Sequence, residues 1–588
     1  MSFSSIRQFL ALLSAQKQLI TIDVEVDPHL EIAEIHRRVV AQEGPVLLFR
    51  NVKGSQFPVV TNLFGTAQRV AWAFGENVDQ TIEEILHLFQ HPPESKKELF
   101  QSLWQHRPLL TRLMNLGKKP SKQAPLFETT LSSLEEIPFL TSWPLDGGPF
   151  LTLPLVYTES IDPSHASANL GMYRIQRFGP RQTGLHFQIN KGGGYHFWQA
   201  EQKKQNLPVS ILLGGPPALI ASAIAPLPEN VNELLLASFL MKSKIPCKKP
   251  GNWPHSLPIE AEFAICGHAI AGKRKLEGPF GDHYGYYSLA HDFPYLEVEH
   301  IYARKDAIYP ATIVGKPVQE DMHIGYWLQE TMRPLIRLAM PGVEDLWAYG
   351  ESGFHALAGA RIQERYERES LKHALRILGE GQLSLTKCLL LTDQNVNIRD
   401  IKKLLEHILE RMRPEVDLYI FAQMSLDTLD YTGPKLNHGS RAIFMGLGDI
   451  KRLLPKEIDS NLSGRFAQAK AFCGGCLVVQ GKNYSEDPTW AQKLLETPLN
   501  PWLLVIVVDD VEETCRSNSD FLWSVFMRFD PAQDIYTHHH VVKHHLCHSW
   551  PIVIDARFKP HYPAVVEVDG ATQEKVSARW DSYFNNRL

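Results

Sequence analysis

A change of local pattern constrains the fold of this 588-residue chain most strongly. From residue 126 to about residue 320, short strand-like segments such as 150–158, 169–178 and 295–304 are separated by Gly and Pro turns. This spacing is typical of an antiparallel sheet or barrel with few helices. We therefore predict a β-rich central domain over residues 126–322.

The segments on either side of this domain have a different pattern. Residues 30–42 carry apolar side chains at helical spacing and are followed by two short strand-like runs. This pattern predicts an N-terminal α/β domain over residues 1–125, with residues 115–125 as a linker. From residue 323 to residue 588, strands alternate with helices, which predicts a C-terminal α/β domain. The fold class is thus α/β, or α+β for the chain as a whole.

The C-terminal third contains an internal similarity. Residues 387–421 resemble residues 502–538, since each run has an apolar strand, an acidic turn, a helix, Arg-x-x-Pro, Asp and a strand. Two copies are too few for a solenoid. The similarity predicts two related βαβ units in one domain, with residues 448–500 as an insertion.

Composition excludes several classes of protein. The 60 basic and 65 acidic residues leave no positive surplus to neutralise a phosphate backbone, so we expect no nucleic-acid partner. Prolines and paired glycines interrupt the longest uncharged run, residues 205–228, so it predicts no spanning helix and at most peripheral membrane contact. Seven cysteines are too few for a disulfide scaffold, and the N-terminal segment resembles no signal peptide. We expect a cytoplasmic protein.

Three short motifs are weak indicators of function. Residues 267–273 match a phosphate-binding loop, but Arg274 replaces the hydroxyl that would ligate magnesium. Cys473 and Cys476 lack a second pair at zinc-finger spacing, which favours a buried or incidental pair. Six histidines crowd residues 538–548, where either a Zn²⁺ or Ni²⁺ site or a pocket or surface lining fits the pattern.

Two other segments carry side chains suited to acid–base chemistry. Asn169 and Arg174 lie on one predicted strand, before a glycine-rich turn whose backbone could approach a phosphate. Glu277 and Asp282 are five residues apart across a Gly/Pro turn, so both could face one cleft. Such an arginine binds an anionic substrate, while repulsion between two carboxylates raises the pKa of one of them towards neutrality. A solvated turn with charged tips is the alternative interpretation.

These two segments resemble the UbiD family of decarboxylases, which use prenylated FMN. The resemblance rests on NLGMYR and KGG at residues 169–174 and 191–193, and on EGPFGDHYGYY at residues 277–287. The quinone-biosynthesis branch of this family is the 3-polyprenyl-4-hydroxybenzoate decarboxylases. Further similar stretches lie at residues 137–158, 304–317, 425–434 and 551–560.

The resemblance implies a fold and an activity. The expected architecture is an N-terminal α/β domain, a central split β-barrel that binds flavin, and a C-terminal α/β domain. The expected reaction is the reversible, non-oxidative decarboxylation of an aromatic or unsaturated carboxylic acid, a precursor in quinone biosynthesis. The implied partners are a small aryl carboxylic acid and a flavin prenyltransferase that supplies the cofactor. The family also suggests a homodimer or homohexamer.

The resemblance also implies residue roles. Asn169 and Glu233 would coordinate a divalent ion, Mn²⁺, with K⁺ as an alternative, because hard oxygen ligands suit such ions. Asp282 would donate the proton, and Glu277 and Arg174 would complete an acid–base network with it. The residues expected to contact the prenylated flavin are Met172, Tyr173, Arg174, His186, Phe187, Gln188, Lys191, Gly192 and Lys387.

One position departs from the family pattern. Asn190 stands just before the Lys-Gly-Gly turn, where family members usually carry a histidine near the metal and phosphate. An amide oxygen can ligate a hard ion but cannot act as an imidazole. Asn190 therefore motivates an alternative, a degenerate relative that binds flavin or supports a partner decarboxylase. A plain FMN oxidoreductase is a further alternative, although the sequence has no nicotinamide-binding fingerprint.

Overall fold

The protein divides into two compact units. The structure, a computed structural model, describes residues 2–91, 104–162, 167–187, 192–227, 231–459, 462 and 464–584. Unit 1 comprises Met1–Thr331 and Val565–Leu588, and unit 2 comprises Met332–Ala564. Strands and helices are numbered below in chain order.

A four-stranded mixed sheet forms the N-terminal part of unit 1. Its strand order is β1-β2-β3-β18, with β1 parallel to β2 and β2 antiparallel to β3. The helix predicted over residues 30–42 is confirmed, and its buried face includes Ile32, Ile35 and Val39. The strands are β1 (Leu19–Ile22), β2 (Val46–Phe49), β3 (Val59–Thr61) and β18 (Tyr309–Pro310), and the helices are α1 (Ile6–Ala15), α2 (Glu31–Val40), α3 (Ala67–Phe74), α4 (Val78–Gln90) and α5 (Arg107–Met114).

A nine-stranded sheet forms the centre of unit 1. Every pairing between its neighbouring strands is antiparallel, in the order β6-β9-β10-β17-β14-β11-β7-β8, with β5 paired to β17. The expected antiparallel, barrel-like sheet is confirmed. Its strands are β5 (Thr129–Thr130), β6 (Phe150–Leu151), β7 (Leu155–Glu159), β8 (Ala168–Met172), β9 (Ile175–Gly179), β10 (Gln182–Gly184), β11 (Leu207–Gly214), β14 (Ala261–Ala269) and β17 (Tyr295–Ala303).

Smaller elements complete unit 1. The segment expected to be a linker, residues 115–125, contributes β4, which pairs in parallel with β12. This pairing satisfies backbone groups that a free linker would leave to water. The remaining strands are β4 (Lys118–Pro120), β12 (Ile245–Lys248), β13 (Leu257–Pro258), β15 (Lys275–Glu277) and β16 (His291–Phe293), and the remaining helices are α6 (Gly192–Gln202), α7 (Pro217–Ile224), α8 (Glu233–Met241) and α17 (Gly570–Phe584), with α9 (Glu320–Ala339) crossing into unit 2.

Unit 2 contains two five-stranded sheets with the same topology. The orders are β19-β20-β21-β23-β22 and β24-β25-β26-β28-β27, and in both the outer pairs are antiparallel and the inner pairs parallel. We call residues 343–446 repeat 1 and residues 469–555 repeat 2. The strands are β19 (Val343–Ala348), β20 (Leu357–Ile362), β21 (Cys388–Thr392), β22 (Leu418–Ser425), β23 (His438–Gly446), β24 (Ala469–Cys473), β25 (Cys476–Gln480), β26 (Leu504–Val508), β27 (Ile535–Val542) and β28 (His545–Asp555).

The segment expected to be an insertion, residues 448–500, provides the first two strands of repeat 2. Cys473 and Cys476 flank the tight turn that joins β24 to β25, and both are buried. The histidine-rich residues 538–548 form the hairpin of β27 and β28 rather than a helix. The helices of unit 2 are α10 (Glu369–Ile377), α11 (Ile401–Arg411), α12 (Pro414–Asp417), α13 (Trp490–Lys493), α14 (Val511–Thr514), α15 (Asn518–Phe526) and α16 (Pro531–Asp534).

None of the helices in the described part of the chain is long and apolar enough to cross a membrane.

Candidate active site

Arg174 forms the centre of a buried ionic network in unit 1. It lies between β8 and β9, and its side chain is 7% exposed. Its Nε and Nη2 atoms donate to the two carboxylate oxygens of Glu277, at 2.9 and 3.0 Å. Its Nη1 atom donates to Oδ2 of Asp282 at 2.5 Å, and Nη2 also donates to Oγ of Ser288 at 2.9 Å. One guanidinium thus holds both acids predicted from the sequence, and the solvated-turn alternative is wrong.

The turn between Glu277 and Asp282 brings both carboxylates to Arg174. Glu277 is the last residue of β15, and Gly278 after it has a positive φ of 94°, which favours glycine. Gln176 on β9 accepts from the backbone N–H of Gly278 at 2.8 Å and anchors this corner. The ring of Phe280 lies 5.0 Å from the Arg174 guanidinium and covers it. An apolar cover of this kind strengthens ionic interactions by excluding water.

His186 extends the network on the side of Glu277. Its Nδ1 atom lies 3.1 Å from Oε2 of Glu277, so the neutral ring carries its proton on Nδ1 and donates to the carboxylate. Burial, and then the charge of Arg174, lower the pKa of His186 below its ordinary value. Its Nε2 atom is buried and has no hydrogen-bond partner among the described residues. The lone pair of Nε2 is therefore available to accept a hydrogen bond from a ligand.

The expectation that one carboxyl pKa is raised towards neutrality is wrong for this pair. Burial raises the pKa of Glu277, but the charge of Arg174 and the hydrogen bonds from His186 and Arg174 lower it to about 2. Burial also raises the pKa of Asp282, but the hydrogen bond and charge of His283 and the charge of Arg174 bring it below its ordinary range. The sequence motif does not reveal that a cation separates the two acids. Both are therefore carboxylates at neutral pH in the ligand-free site.

A further carboxyl group, Asp146, was not predicted from the sequence. Burial raises its pKa to about 6, against hydrogen bonds from backbone N–H groups. Its Oδ1 atom accepts from Gly281 N at 2.8 Å, next to Asp282, and its Oδ2 accepts from Trp143 N at 2.9 Å. Asp146 therefore positions the Asp282 turn. Ser288 was not predicted from the sequence either. Neither Asp146 nor Ser288 is part of a recognisable sequence motif.

The C-terminal segment of the chain binds the same turn. Val566 N donates to Gly285 O at 3.0 Å, and Val565 forms an antiparallel bridge with Tyr286. Tyr286 O in turn accepts from Asp282 N at 3.0 Å. The segment then continues into α17, which ion pairs with Glu31 of α2 through Lys575 at 2.8 Å. Residues distant in sequence thus hold the Asp282 turn in place.

We expect Val566→Pro to lower the kcat of the expected decarboxylation by about a hundredfold. Proline lacks the N–H that binds Gly285, so the turn that carries Asp282 is released. A displacement of a reacting group by about 1 Å costs about a hundredfold in rate. The matched control, Val566→Ala, keeps the N–H and removes only side-chain volume. Steady-state kinetics and thermal unfolding of both variants measure the effect. Equal kcat values for the two variants would show that the backbone bond does not position Asp282.

The two residues expected to bind a metal lie beside the expected flavin-binding residues. Asn169 and Leu170 are neighbours on β8, and Leu170 N donates to Oε2 of Glu233 at 2.9 Å. A Cβ atom added at Gly192 would lie 2.2 Å from Oδ1 of Asn169, so only glycine permits this close approach. The Tyr173 hydroxyl accepts from Gly193 N at 3.3 Å. Residues 192–193 begin helix α6 and do not form the turn expected from the sequence. Asn169, Glu233 and the start of α6 therefore share one corner of unit 1.

Asn169 and Glu233 supply the polar atoms at this corner. Nδ2 of Asn169 is buried and makes no hydrogen bond within the described ranges. Burial raises the pKa of Glu233, and the two hydrogen bonds from backbone N–H groups do not reverse the shift. Glu233 is half-buried, and a divalent ion beside it would stabilise its charged form. The donor set thus fits a hard cation.

The remaining expected flavin contacts have different locations. Met172 is half-buried at the end of β8, and the ring of Phe187 packs 5.4 Å from that of Tyr173. Lys387 belongs to unit 2, where it is buried and its Nζ lies 2.9 Å from Oδ2 of Asp430. Gln188 and Lys191, and Asn190 between them, lie outside the described residues.

The motifs judged weak in the sequence gain no support. Residues 267–273 run from β14 into a turn and not into a helix, so the phosphate-loop interpretation fails. Where the chain is described, no group of three His, Cys, Asp or Glu side chains is placed to hold a metal ion, and this includes the histidine-rich hairpin.

Comparisons with known proteins agree with the resemblance noted in the sequence. The family models of 3-octaprenyl-4-hydroxybenzoate carboxy-lyase match residues 10–89 with the N-terminal domain, residues 116–317 with the Rift-related domain and residues 322–446 with the C-terminal domain. A protein of Chlamydia pneumoniae, named as one subunit of a 4-hydroxybenzoate decarboxylase, is 53% identical over 588 residues, which are 99% of each chain. A protein of Archaeoglobus fulgidus is 33% identical over 434 residues, which are 74% of this chain and 89% of that protein.

Solved structures share the fold. Vanillic acid decarboxylase of Sedimentibacter hydroxybenzoicus, in closed form, matches with a TM-score of 0.65 and 23% identity, over 78% of this chain and 95% of that one. The UbiD-class enzyme HmfF of Pelotomaculum thermopropionicum, in complex with FMN, matches with a TM-score of 0.63 and 23% identity, over 78% of this chain and 98% of that one. The family matches and the Chlamydia relative together show that the chain belongs to the UbiD family of carboxy-lyases.

Proposed function

We propose that this chain catalyses the reversible, non-oxidative decarboxylation of an aromatic or α,β-unsaturated carboxylic acid with prenylated FMN. The observation that carries the proposal is the buried Arg174, which binds Glu277 and Asp282 at once. Similar proteins include a 4-hydroxybenzoate decarboxylase subunit, a vanillic acid decarboxylase and a 3,4-dihydroxybenzoic acid decarboxylase, which supports an aryl acid as substrate. We further propose 4-hydroxybenzoate or a prenylated derivative, a quinone precursor, as the first substrate to test.

The residues of unit 1 fit the proposed cofactor. HmfF occurs in complexes with FMN and with prenylated FMN. In this chain, Asn169 and Glu233 would hold a divalent ion such as Mn²⁺ beside the cofactor phosphate, since both offer oxygen ligands. The absence of a side chain at Gly192 lets the backbone approach Asn169 closely at the same corner. Prenylated FMN supplies an electron-accepting carbon, which the protein side chains lack.

The role of Arg174 follows from its fork of donors. A substrate carboxylate can replace Asp282 at Nη1 of the guanidinium and accept a charge-assisted hydrogen bond there. Glu277 and His186 fix the orientation of the guanidinium while this exchange takes place. Glu277 and His186 are buried, and the ring of Phe280 covers Arg174. This environment keeps water away from the carbon that loses CO₂.

The role of Asp282 follows from its charge state. It is ionised in the ligand-free site because its pKa lies below the ordinary range. A bound substrate carboxylate competes for Arg174 and adds a negative charge nearby, and both effects raise the pKa of Asp282. Asp282 then takes up a proton, which it can deliver to the carbon that has lost CO₂.

This account predicts that substrate binding is coupled to the uptake of about one proton at neutral pH. The complex with the substrate binds more protons than the free protein. The affinity for the substrate therefore falls as the pH rises, by up to about tenfold per pH unit. Calorimetry of 4-hydroxybenzoate binding to the FMN-loaded protein, in buffers of different ionisation enthalpy, measures the proton count. Asp282→Asn should abolish the uptake. Binding with no net proton exchange in the original protein would contradict the proposed role.

The proposed activity is tested by co-expression with a flavin prenyltransferase. We expect the purified chain to carry a modified flavin, visible by absorbance and mass spectrometry, and to release CO₂ from at least one acid in a panel of aryl and α,β-unsaturated acids. Chain produced without the prenyltransferase is the control and should release none. If the chain loaded with prenylated FMN and Mn²⁺ turns over no acid in the panel, the proposal is wrong.

A further inference from the structure

The two repeats of unit 2 share one arrangement of strands. Their strands have the same order, the same directions and the same register across the parallel core of each sheet. The aligned triplets are Leu357–Cys388–Ala442 in repeat 1 and Cys476–Leu504–Ile552 in repeat 2. Repeat 2 lies beyond residue 446, where the match to the C-terminal family domain ends.

Equivalent hydrogen bonds recur at equivalent positions. Asp417 at the end of α12 accepts from Arg413 N at 2.8 Å, and Asp534 at the end of α16 accepts from Asp530 N at 2.8 Å. The helices that precede them begin alike, since the side chains of Asp400 and Ser517 cap α11 and α15 by accepting from the backbone N–H three residues later. Matching polar detail of this kind indicates a duplication and not a chance similarity of topology.

The repeats also pack against each other reciprocally. Helix α11 of repeat 1 contacts β24, the first strand of repeat 2. Helix α15 of repeat 2, the counterpart of α11, contacts residues 350–352 of repeat 1. These residues form the turn that follows β19, and β19 is the counterpart of β24. Likewise α12 contacts β28 of repeat 2, and its counterpart α16 contacts β23, the counterpart of β28. A contact in which each partner uses the same face is isologous, the arrangement found between the subunits of a two-fold dimer.

The side chains that repeat 1 presents at this contact are complementary to repeat 2 and not to another copy of repeat 1. Ser440 Oγ donates to Asp530 Oδ1 at 2.6 Å and accepts from Ala532 N at 2.7 Å. A Cβ atom at Gly439 would lie 2.7 Å from Asp530 Oδ2, so the fit is close. The counterpart of Asp530 in repeat 1 is Arg413, whose side chain is longer and cannot accept the hydrogen bond that Ser440 donates. A pairing of two first repeats is therefore disfavoured.

We propose that repeat 2 acts as a built-in partner for repeat 1. It occupies, within the same chain, the isologous face through which repeat 1 would bind a second copy of its own fold. The chain therefore completes unit 2 alone, and a second copy does not dock on this face. Any homodimer or homohexamer then forms through other surfaces.

The test is a disulfide between the two repeats in the full chain. Under mild oxidation, Ser440→Cys with Ala532→Cys should form a disulfide within one chain, so that a non-reducing denaturing gel shows only the single-chain mass. Each single substitution is the control and should form no such bond. A disulfide-linked double-mass species, or two thiols that remain open to alkylation, would overturn the proposal.

A second measurement needs no substitution. Lys402 of α11 lies 4.8 Å from the ring of Phe472 on β24, and Lys470 precedes Phe472 by two residues on the same strand. A lysine cross-linker should join Lys402 to Lys470 in the unaltered protein, and the linked peptide should come from the single-chain band of a denaturing gel. Recovery of that peptide only from a double-mass band, or its absence from both bands, contradicts pairing within one chain.

Discussion

Replacing Asp282 with asparagine is expected to lower kcat of the loaded enzyme by about a hundred- to ten-thousandfold, the range for losing a positioned acid. Asparagine has nearly the same shape and can still accept from Arg174, but it cannot carry the proton to the product. KM should change much less, because Arg174 remains to bind the substrate carboxylate. Steady-state kinetics of CO₂ release measure both parameters.

The matched control for this substitution is Asp292→Asn. Asp292 is an exposed residue of β16, in the hairpin that also carries Glu277. Its replacement should leave kcat unchanged within a factor of about two. If Asp282→Asn retains more than about a tenth of the original kcat, another group delivers the proton and the assignment of Asp282 is wrong.

Replacing Arg174 with alanine should abolish turnover and also destabilise unit 1. Glu277 and Asp282 would both lose their cation while remaining buried, and removing one partner of a buried ion pair costs about 3–5 kcal/mol. Their pKa values would then rise, since the charge of Arg174 is among the factors that lower both. Denaturant unfolding at pH 7 measures the loss of stability, and CO₂ release measures the loss of activity.

The control for this second substitution is a surface ion pair. Arg50 lies 3.5 Å from Asp23, and both side chains are exposed. Arg50→Ala should cost less than about 1 kcal/mol, because exposed pairs contribute little. Equal stability losses for Arg174→Ala and Arg50→Ala would show that the Arg174 network is not a buried ionic centre.

Local sequence patterns indicated that Glu277 and Asp282 lie close together, whereas the resemblance to the family was needed to join Arg174 to them in one network. The Gly/Pro turn between Glu277 and Asp282 is short, so their proximity follows from the chain itself. The Gly and Pro turns between the short strand-like segments of residues 126–320 predicted an antiparallel sheet. These features depend on neighbours in sequence, and sequence reasoning finds them.

Contacts between distant segments could not be predicted in this way. The bond from Val566 to Gly285, and the support that Asp146 gives to Gly281, have no periodicity or motif. The pKa values of Glu277 and Asp282 were misjudged because they depend on where one guanidinium lies between them. The sequence predicts an insertion at residues 448–500 because the two strands of repeat 2 in this segment are short and joined by a tight turn.

The most direct test of the central claim is a single experiment on the product. The chain loaded with prenylated FMN and Mn²⁺ is supplied with its acid in D₂O, and the product is analysed by NMR and mass spectrometry. Decarboxylation with proton delivery by Asp282 predicts one deuterium per product molecule, at the carbon that carried the carboxylate. A product with no deuterium at that carbon, or with an oxidised ring, would contradict the account.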